Sequence, residues 1–299
     1  MTSAGRFAPS PSGELHVGNL RTAILAWLFA RSTGRRFLLR VEDLDRARAG
    51  AEEVQLRDLA AIGLTWDGGV VRQTDRGPLY AEAISRLEGA GLTYECFCTR
   101  REIQEAPSAP HAPQGAYPGT CRNLDRAELE YKRSVRPAAI RLRADVQEYT
   151  VQDALHGEFT GMVDDFVLRR NDGVTAYNLA VVVDDAAQGI DQVVRGDDLL
   201  PSTPRQAYLA SLLHIPVPEY AHVPLVVNPD GVRLAKRDGA VTLADLAEAG
   251  VAVEEVRNRL LASLGLPAGT LENTLRAFDP ARLPRHPWVW TGVGNYPDS

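Results

Sequence analysis

The sequence has little of what marks secreted, membrane or disulfide-rich proteins. It contains three cysteines in 299 residues, an odd number that does not suit a disulfide framework. It has no apolar run of about eighteen residues, the length that a membrane helix needs, and its first residues carry no apolar signal core. We therefore expect a cytoplasmic protein that neither enters a membrane nor is exported.

An excess of positive charge is also missing, since the formal net charge is −6. This balance argues against a protein that coats nucleic acid without selectivity, although a local basic face can still hold an RNA. The hydrophobic share of 44% is enough for a sizeable core, and the length allows one large domain or two small ones.

The most informative stretch lies near the start and reads Arg6-Phe-Ala-Pro-Ser10-Pro-Ser-Gly-Glu-Leu-His16-Val-Gly18-Asn19. Residues 5–8 form a predicted buried strand, and apolar residues then recur at helical spacing from about Gly18 to Arg31. Two prolines and a glycine exclude regular structure in between. His16 and Gly18 therefore lie at a helix N-terminus, a position that favours a phosphate group. A histidine that merely caps the helix is the simpler alternative.

Acidic residues follow a second predicted strand. The segment from Arg36 to Val41 is apolar enough to be buried, and it ends in the cluster Glu42-Asp43-Leu44-Asp45. In an open α/β sheet this is the carboxyl edge, where ligands bind. Glu42 is either part of such a site or an ordinary carboxylate that caps a helix or lies in a solvated turn.

The three cysteines lie in a region where a proline-rich loop interrupts the alternation of strands and helices. Cys96 and Cys98 are close neighbours, and Tyr117 shortly precedes Cys121. Three thiols and a phenol can thus converge on one point, and a tetrahedral Zn²⁺ needs four such donors. The fourth ligand can be Tyr117, His111, an acidic side chain or water. Alternatively, the cysteines are ordinary packing residues.

A second element near the far end changes the interpretation of the first, and it reads Val232-Arg233-Leu-Ala-Lys236-Arg237-Asp-Gly. Together with His16-Val-Gly18-Asn19, it resembles the two signatures of the class I aminoacyl-tRNA synthetases, His-Ile-Gly-His and Lys-Met-Ser-Lys-Ser. The similarity is greatest to the glutamyl-tRNA synthetase group. The shared blocks are Arg6-Phe-Ala-Pro-Ser-Pro-Ser-Gly, Arg40-Val-Glu42-Asp-Leu-Asp45, Tyr177-Asn-Leu-Ala, Val-Arg195-Gly-Asp-Asp-Leu and Thr203-Pro-Arg-Gln206.

The resemblance implies an α/β fold in which a class I synthetase, Rossmann-type parallel sheet is interrupted by an inserted acceptor and zinc subdomain. We expect the first half of the sheet in 1–92, the insertion in 93–169, the second half with the signature loop in 170–240, and a short helical segment with a polar tail in 241–299. Full-length synthetases of this group continue into an anticodon-binding domain. We expect none here, because few residues follow the signature loop.

The resemblance also implies candidate site residues. Those for glutamate are Arg6, Ala8, Ser10, Glu42, Tyr177 and Arg195. Those for ATP are His16, Gly18, Asn19, Lys236 and Arg237. The catalytic candidates are His16, Gly18 and Lys236. Glu42 would face the ammonium group and the two arginines the carboxylates, although spacing does not reveal which arginine binds which. Asn19 and Arg233-Leu-Ala depart from the family signatures, which leaves the contribution of those positions open.

The most similar family within the group is a truncated one, the glutamyl-Q tRNA(Asp) synthetases. A member of that family is described as binding zinc through a tyrosine. On that resemblance we favour one structural Zn²⁺ with the ligands Cys96, Cys98, Tyr117 and Cys121.

The implied reaction is activation of L-glutamate by ATP, accompanied by Mg²⁺, to glutamyl adenylate without a requirement for tRNA. The glutamate is then transferred to the queuosine base in the anticodon of tRNA(Asp), by a protein expected to be a monomer. Three alternatives stay open. They are a minimal glutamyl-tRNA synthetase that charges a tRNA 3′ end, a glutamate-activating ligase with a non-RNA acceptor, and a non-catalytic RNA-binding relic.

Overall fold

The computed structural model describes residues 3–45, 47–105, 117–234 and 241–292, so His111, Lys236 and Arg237 lie outside the described residues. The strands are β1 (Ala4–Phe7), β2 (Arg36–Val41), β3 (Val71–Arg72), β4 (Thr93–Cys96), β5 (Ala139–Leu142), β6 (Glu148–Asp153), β7 (Gly157–Met162), β8 (Val167–Arg169), β9 (Ile190–Gly196), β10 (Glu219–Val223), β11 (Val226–Val227) and β12 (Trp288–Val289). The helices are α1 (Val17–Ser32), α2 (Ala51–Ala61), α3 (Gly77–Gly89), α4 (Arg100–Glu105), α5 (Arg126–Val135), α6 (Tyr177–Gln188), α7 (Thr203–Leu212), α8 (Leu243–Glu248), α9 (Val253–Ala262) and α10 (Leu271–Leu275).

The main sheet has the strand order β3-β2-β1-β9-β10-β6-β7. Its strands pair in parallel except at the edge, where β7 runs antiparallel to β6. Strand β2 is buried at every position except Arg36, as expected of a parallel strand covered on both faces. The predicted Rossmann-type parallel sheet is therefore confirmed.

Helix α1 lies at the centre of the core. Every residue from Ala23 to Ala30 is buried, because the helix packs on β1, β2 and β9 on one side and on α9 and α10 on the other. Buried Arg21 of α1 donates to the Pro224 carbonyl at 2.8 Å and to the Ser263 hydroxyl at 3.0 Å. Helix α1 is thereby joined to the C-terminal end of α9 and to the chain just before β11. None of the helices in the described ranges combines the length and the apolar character needed to cross a bilayer.

The predicted polar tail contributes more to the core than its sequence suggests. It contains α10 and β12, and β12 pairs in parallel with β11. Leu271, Phe278 and Trp290 are buried against the cluster around α1. These apolar residues are widely spaced, so no periodic pattern revealed them.

A second, antiparallel sheet has the order β4-β5-β8. The two remaining strands of the predicted insertion, β6 and β7, extend the main sheet instead, with Asp153 of β6 opposite Tyr220 of β10. The chain between 93 and 169 thus contributes to both sheets. The division into four segments stays a prediction.

Candidate active site

The carboxyl edge of the main sheet carries a cluster of buried charges. Arg6 lies in β1, Glu42 directly follows β2, and Arg195 lies in β9, so neighbouring parallel strands deliver all three to one edge. Arg6 and Arg195 are only 4% and 5% exposed. A cavity of about 790 Å³ is lined by Glu42, Ser10 and Tyr177. The residues expected to bind glutamate are therefore close together, with Ala8 immediately after β1.

Asp185 of α6 links two of the arginines. Its Oδ1 accepts hydrogen bonds from Arg6 Nε at 3.3 Å and from Arg40 Nη1 at 2.7 Å. Arg40 is fully buried and also donates from Nη2 to Glu42 Oε1 at 3.3 Å. Burial raises the pKa of Asp185, but Arg40 and Arg6 outweigh it, so the net shift of this pKa is downward. An ionised Asp185 thus holds Arg6 beside the cavity.

The other acidic group of the cluster behaves differently. Burial is the largest influence on Glu42, and it raises the pKa of this carboxyl in spite of the nearby Arg40 and Arg6. Although Tyr177 is 40% exposed, burial of its hydroxyl and the charge of Glu42 raise the pKa of the phenol. The positive charges near Glu42 therefore do not fully offset the cost of burying its carboxylate, and a bound cation would offset the remainder.

Arg195 is held by neutral groups. Its Nε donates to His222 Nε2 at 3.0 Å and its Nη2 donates to Thr203 Oγ1 at 2.9 Å. His222 in turn pairs with Asp153, with 2.6 Å between Nδ1 and Oδ2. Within the described residues, the buried Nη1 of Arg195 has no hydrogen-bond partner. This nitrogen is thus a buried donor whose hydrogen-bonding capacity is unused in the described part of the chain.

His16 is the N-cap of α1, as the simpler sequence interpretation expected. Its Nδ1 accepts the Gly18 N–H at 3.1 Å, and Asn19 Oδ1 accepts the His16 N–H at 3.2 Å, which completes a capping box. A Cβ on Gly18 would lie 3.0 Å from His16 Cε1. Gly18 is therefore required for the imidazole to pack over the first turn. The capping contact of Asn19 was not foreseen from the sequence.

The described chain on either side of the second signature lies beside the first. Before the loop, Leu234 donates its N–H to the Val226 carbonyl at 3.2 Å, and Arg233 Nη1 pairs with Asp198 Oδ2 at 2.5 Å. After the loop, Val241 accepts the N–H of Val17 at 3.0 Å. The chain on both sides of Lys236 and Arg237 is thus fixed near the start of α1.

The predicted metal ligands come together. The sulfur atoms of Cys96, Cys98 and Cys121 all lie within 4.8 Å of one another. The Tyr117 oxygen lies 3.3 Å from Cys96 Sγ and 3.6 Å from Cys98 Sγ. A tetrahedral zinc with bonds of about 2.3 Å to sulfur and about 2.0 Å to oxygen places sulfur and oxygen about 3.5 Å apart. The four donors therefore fit one zinc ion.

The surroundings shift the pKa values of the candidate ligands in different directions, upward for Cys98 and Tyr117 and downward for Cys96. Burial raises the pKa of the Cys98 thiol to about 12, which opposes thiolate formation when no cation is bound. The Arg141 guanidinium stacks 3.7 Å from the centre of the Tyr117 ring and is 7% exposed. Zinc with three thiolates and a phenolate would carry negative charge, which this guanidinium would partly offset.

Several important residues were not found from the sequence. Asp185, His222 and Asp153 were not singled out, and Arg40 was named only as part of a shared block, without a role in the site, although all four are buried polar or charged residues. The sequence sign of such a residue is a charge beside apolar neighbours, as in the run Val-Val-Val-Asp-Asp of α6 and at Arg40 of β2. Their partners lie on other elements, so local spacing did not reveal them.

The sheet with its charged carboxyl edge defines a class I tRNA synthetase catalytic domain. Residues 4–282 match the family described as tRNA synthetases class I (E and Q), catalytic domain. Over 292 residues the chain is 68% identical to the glutamyl-Q tRNA(Asp) synthetase of Nocardia farcinica, and this alignment covers 97% of this chain and 94% of that relative. It is 54% identical over 270 residues to the protein of the same name from Cutibacterium acnes, in an alignment that covers 89% of this chain and 77% of the relative. The chain belongs to the glutamyl-Q tRNA(Asp) synthetase family, and it is an ATP-dependent ligase.

Solved structures of glutamate enzymes share the fold. The glutamate-tRNA synthetase of Elizabethkingia anophelis superposes with a TM-score of 0.82 at 28% identity, which covers 97% of this chain and 68% of that one. A glutamate tRNA ligase from Elizabethkingia meningosepticum, in complex with its amino acid, gives a TM-score of 0.81 at 28% identity, with 97% and 67% covered. Together with the family match, these support an activity of the glutamate-tRNA synthetase type.

Proposed function

We propose that this protein activates L-glutamate with ATP and transfers it to the queuosine base in the anticodon of tRNA(Asp). The observation that carries the first half is the buried pair Arg6 and Arg195 beside the carboxylate of Glu42. Glutamate has two carboxylates and one ammonium group, which matches this arrangement in number and sign. We propose that this activation proceeds without the RNA.

In the glutamate site, Glu42 binds the ammonium group. Burial has raised the pKa of Glu42, and a cation beside it would restore the ionised form. Arg6 and Arg195 bind the two carboxylates, and the Tyr177 hydroxyl contacts the amino acid from the first turn of α6. Ser10 supplies a hydroxyl to the cavity, and we assign Ala8, which directly follows β1, to the same glutamate site.

In the activation step, an oxygen of the glutamate α-carboxylate attacks the α-phosphorus of ATP in line, and the bond to pyrophosphate breaks. No protein nucleophile takes part. His16, the backbone amides at the start of α1 and Lys236 stabilise the negative charge on the phosphates. Gly18 lets the nucleotide lie against the backbone, and Asn19 and Arg237 complete the ATP site. Mg²⁺ that accompanies ATP supplies further neutralisation of phosphate charge.

In the metal site, one structural Zn²⁺ is held by Cys96, Cys98, Cys121 and Tyr117. The distances among the four donors and the stacked Arg141 support this assignment. The ion would join β4 to the segment around residue 121 and so stabilise the small sheet. It takes no part in the activation step.

The second half of the proposal concerns the acceptor. Its support is the name of the relatives, which are called glutamyl-Q tRNA(Asp) synthetases and cover nearly the whole chain. A loop base that is splayed out of its stack can be bound by shape and stacking, which is common in RNA recognition. We propose that a monomer binds the anticodon stem-loop next to the cavity of the glutamate site.

The test is transfer of radiolabelled glutamate to defined RNAs. We expect labelling of tRNA(Asp) that contains queuosine, and none of the same tRNA with guanine at that position. Labelling of tRNA(Glu) at its terminal adenosine would contradict the proposed acceptor and favour a minimal glutamyl-tRNA synthetase. Transfer that persists after RNase treatment would favour a non-RNA acceptor.

A further inference from the structure

A chain of buried hydrogen bonds leads from the edge of the main sheet to Arg195. Asp153, at the end of β6, pairs with His222 of β10, and His222 pairs with Arg195 of β9. Register supports the second contact, because His222 and Arg195 are direct partners on adjacent parallel strands. The side chains of Asp153 and His222 are 0% exposed. Three strands thus contribute one residue each to a single polar array.

The partners of His222 determine its tautomer. Asp153 accepts from the N–H groups of Leu155 and His156 and from both the N–H and Nδ1 of His222. These contacts outweigh the effect of burial and lower the pKa of Asp153, so it is an ionised acceptor. Burial in turn lowers the pKa of His222, so the ring is neutral. Its single ring proton lies on Nδ1, and the unprotonated Nε2 accepts from Arg195, with the Thr203 hydroxyl also 3.1 Å from it.

Arg195 makes no direct ion pair. Arg6 and Arg40 each contact Asp185, whereas Arg195 forms no ion pair with a carboxylate in the described ranges of the chain and only helps, from a greater distance, to lower the pKa of Asp185. Its Nε and Nη2 bind only the neutral His222 and Thr203. A buried guanidinium without an anion is costly unless a ligand brings one.

We propose that His222 and Asp153 are positioning residues that aim Nη1 of Arg195 at a carboxylate of the bound amino acid. The inference rests on the proposed glutamate site. A neutral imidazole can orient Arg195 through Nε2 without neutralising it, which a carboxylate in the same place could not do. Asp153 acts one step further away, because it holds the ring proton on Nδ1.

Substitution of Asp153 tests this arrangement most sharply. Asp153→Asn replaces one of two acceptor oxygens by an amide N–H. When this N–H takes the place of Oδ2, it faces Nδ1, and His222 then carries its proton on Nε2, opposite the Nε–H of Arg195. Two donors would face each other and the contact would be lost. We expect the KM for glutamate in ATP–pyrophosphate exchange to rise about tenfold to a hundredfold, with the KM for ATP and kcat changed by less than about threefold.

Two substitutions of His222 separate orientation from packing. His222→Phe removes the acceptor and should raise the KM for glutamate as much as Asp153→Asn does. His222→Gln keeps an acceptor near the position of Nε2 and should recover a large part of the affinity. His286→Gln, at an exposed histidine far along the chain, is the matched control and should behave as the wild type.

Arg195→Lys distinguishes failure of this inference from failure of the glutamate site. If Arg195→Lys raises the KM for glutamate but Asp153→Asn and His222→Phe do not, the positioning role is wrong and the site stands. If Arg195→Lys also leaves this KM unchanged, both are wrong.

The tautomer gives a second readout that does not depend on how the variants fold. Nitrogen-15 NMR of the wild type should find His222 protonated on Nδ1, and protonation on Nε2 would overturn the inference.

Discussion

Val17 and Val241 are joined by a backbone hydrogen bond of 3.0 Å, and the adjacent residues His16 and Thr242 form an isolated antiparallel bridge. The two signature segments, more than two hundred positions apart in sequence, therefore meet at the start of α1. Leu234 and Val241, the described residues on either side of Lys236, are thus both held near this helix start. The phosphate site shared by His16 and Lys236 stays a proposal.

Lys236 provides the first test. In Lys236→Ala the phosphates lose a cation during the activation step, so we expect kcat for ATP–pyrophosphate exchange to fall by about 10²–10³-fold. Lys236→Arg should retain part of the activity. The only other lysine of the sequence, Lys132 on α5, supplies a matched control, and Lys132→Ala should leave the exchange rate unchanged. Equal rates for the two alanine variants would remove Lys236 from the proposed mechanism.

Gly18 is expected to matter through His16. The added Cβ of Gly18→Ala would lie 3.0 Å and 3.1 Å from two atoms of the imidazole, so the ring must move away from its capping position. We expect the KM for ATP to rise about tenfold, and the loss of the cap to cost about 1 kcal/mol in the free energy of unfolding. Gly77→Ala, at the start of α3 where nothing lies within 4 Å of the new atom, is the control. A Gly18→Ala protein with unchanged KM and higher stability would show that the ring position is unimportant, since alanine is the better helix former.

Glu42 should have opposite effects on activity and on stability. Glu42→Gln removes the partner of the glutamate ammonium group, and we expect the KM for glutamate to rise at least about tenfold. The raised pKa of Glu42 means that the folded state holds its proton to higher pH than the unfolded state does. Wild-type stability therefore falls relative to the variant as the pH rises from the ordinary glutamate pKa near 4.5 towards the raised value.

Urea unfolding of wild type and Glu42→Gln at several pH values measures this difference. The two proteins should be similar at a pH below that window, and the variant should be the more stable one above it. If the variant instead becomes less stable than the wild type as the pH rises, Arg40 and Arg6 stabilise the ionised Glu42 by more than its burial costs.

Zinc content tests the four-donor cluster. We expect about one Zn²⁺ per chain in the wild type, and a loss of most of it in Cys98→Ser and in Tyr117→Phe, because each removes one ligand. His111→Ala should retain the metal and serves as the control for the alternative fourth ligand. Metal analysis of the purified variants decides the matter, and full zinc retention in Tyr117→Phe would reject the tyrosine.

Local patterns in the sequence predicted the elements that carry the site. The apolar periodicity after Gly18 predicted α1, and the apolar run from Arg36 to Val41 predicted β2 with its observed bounds. The cysteines and Tyr117 could be grouped because two short segments contain all four. In each case, the information lay within a few neighbouring residues or in a recognisable signature.

Such local patterns do not predict which strands pair or which distant side chains come into contact. Strands β6 and β7 look like part of an insertion, but β6 pairs with β10 and so brings Asp153 to His222. The contact of Asp185 with Arg6 and Arg40 joins α6 to two strands far away in sequence. Helical and strand periodicity describe one element at a time, and these partners become visible only when the sheet order is known.

The most direct test of the central claim is ATP–pyrophosphate exchange by the wild-type protein with each amino acid in turn and without any RNA. We predict exchange with L-glutamate, and none with glutamine or aspartate, because only glutamate carries two carboxylates at the spacing that Arg6 and Arg195 are proposed to bind. Exchange that is absent with glutamate, or equally fast with glutamine, would contradict the account.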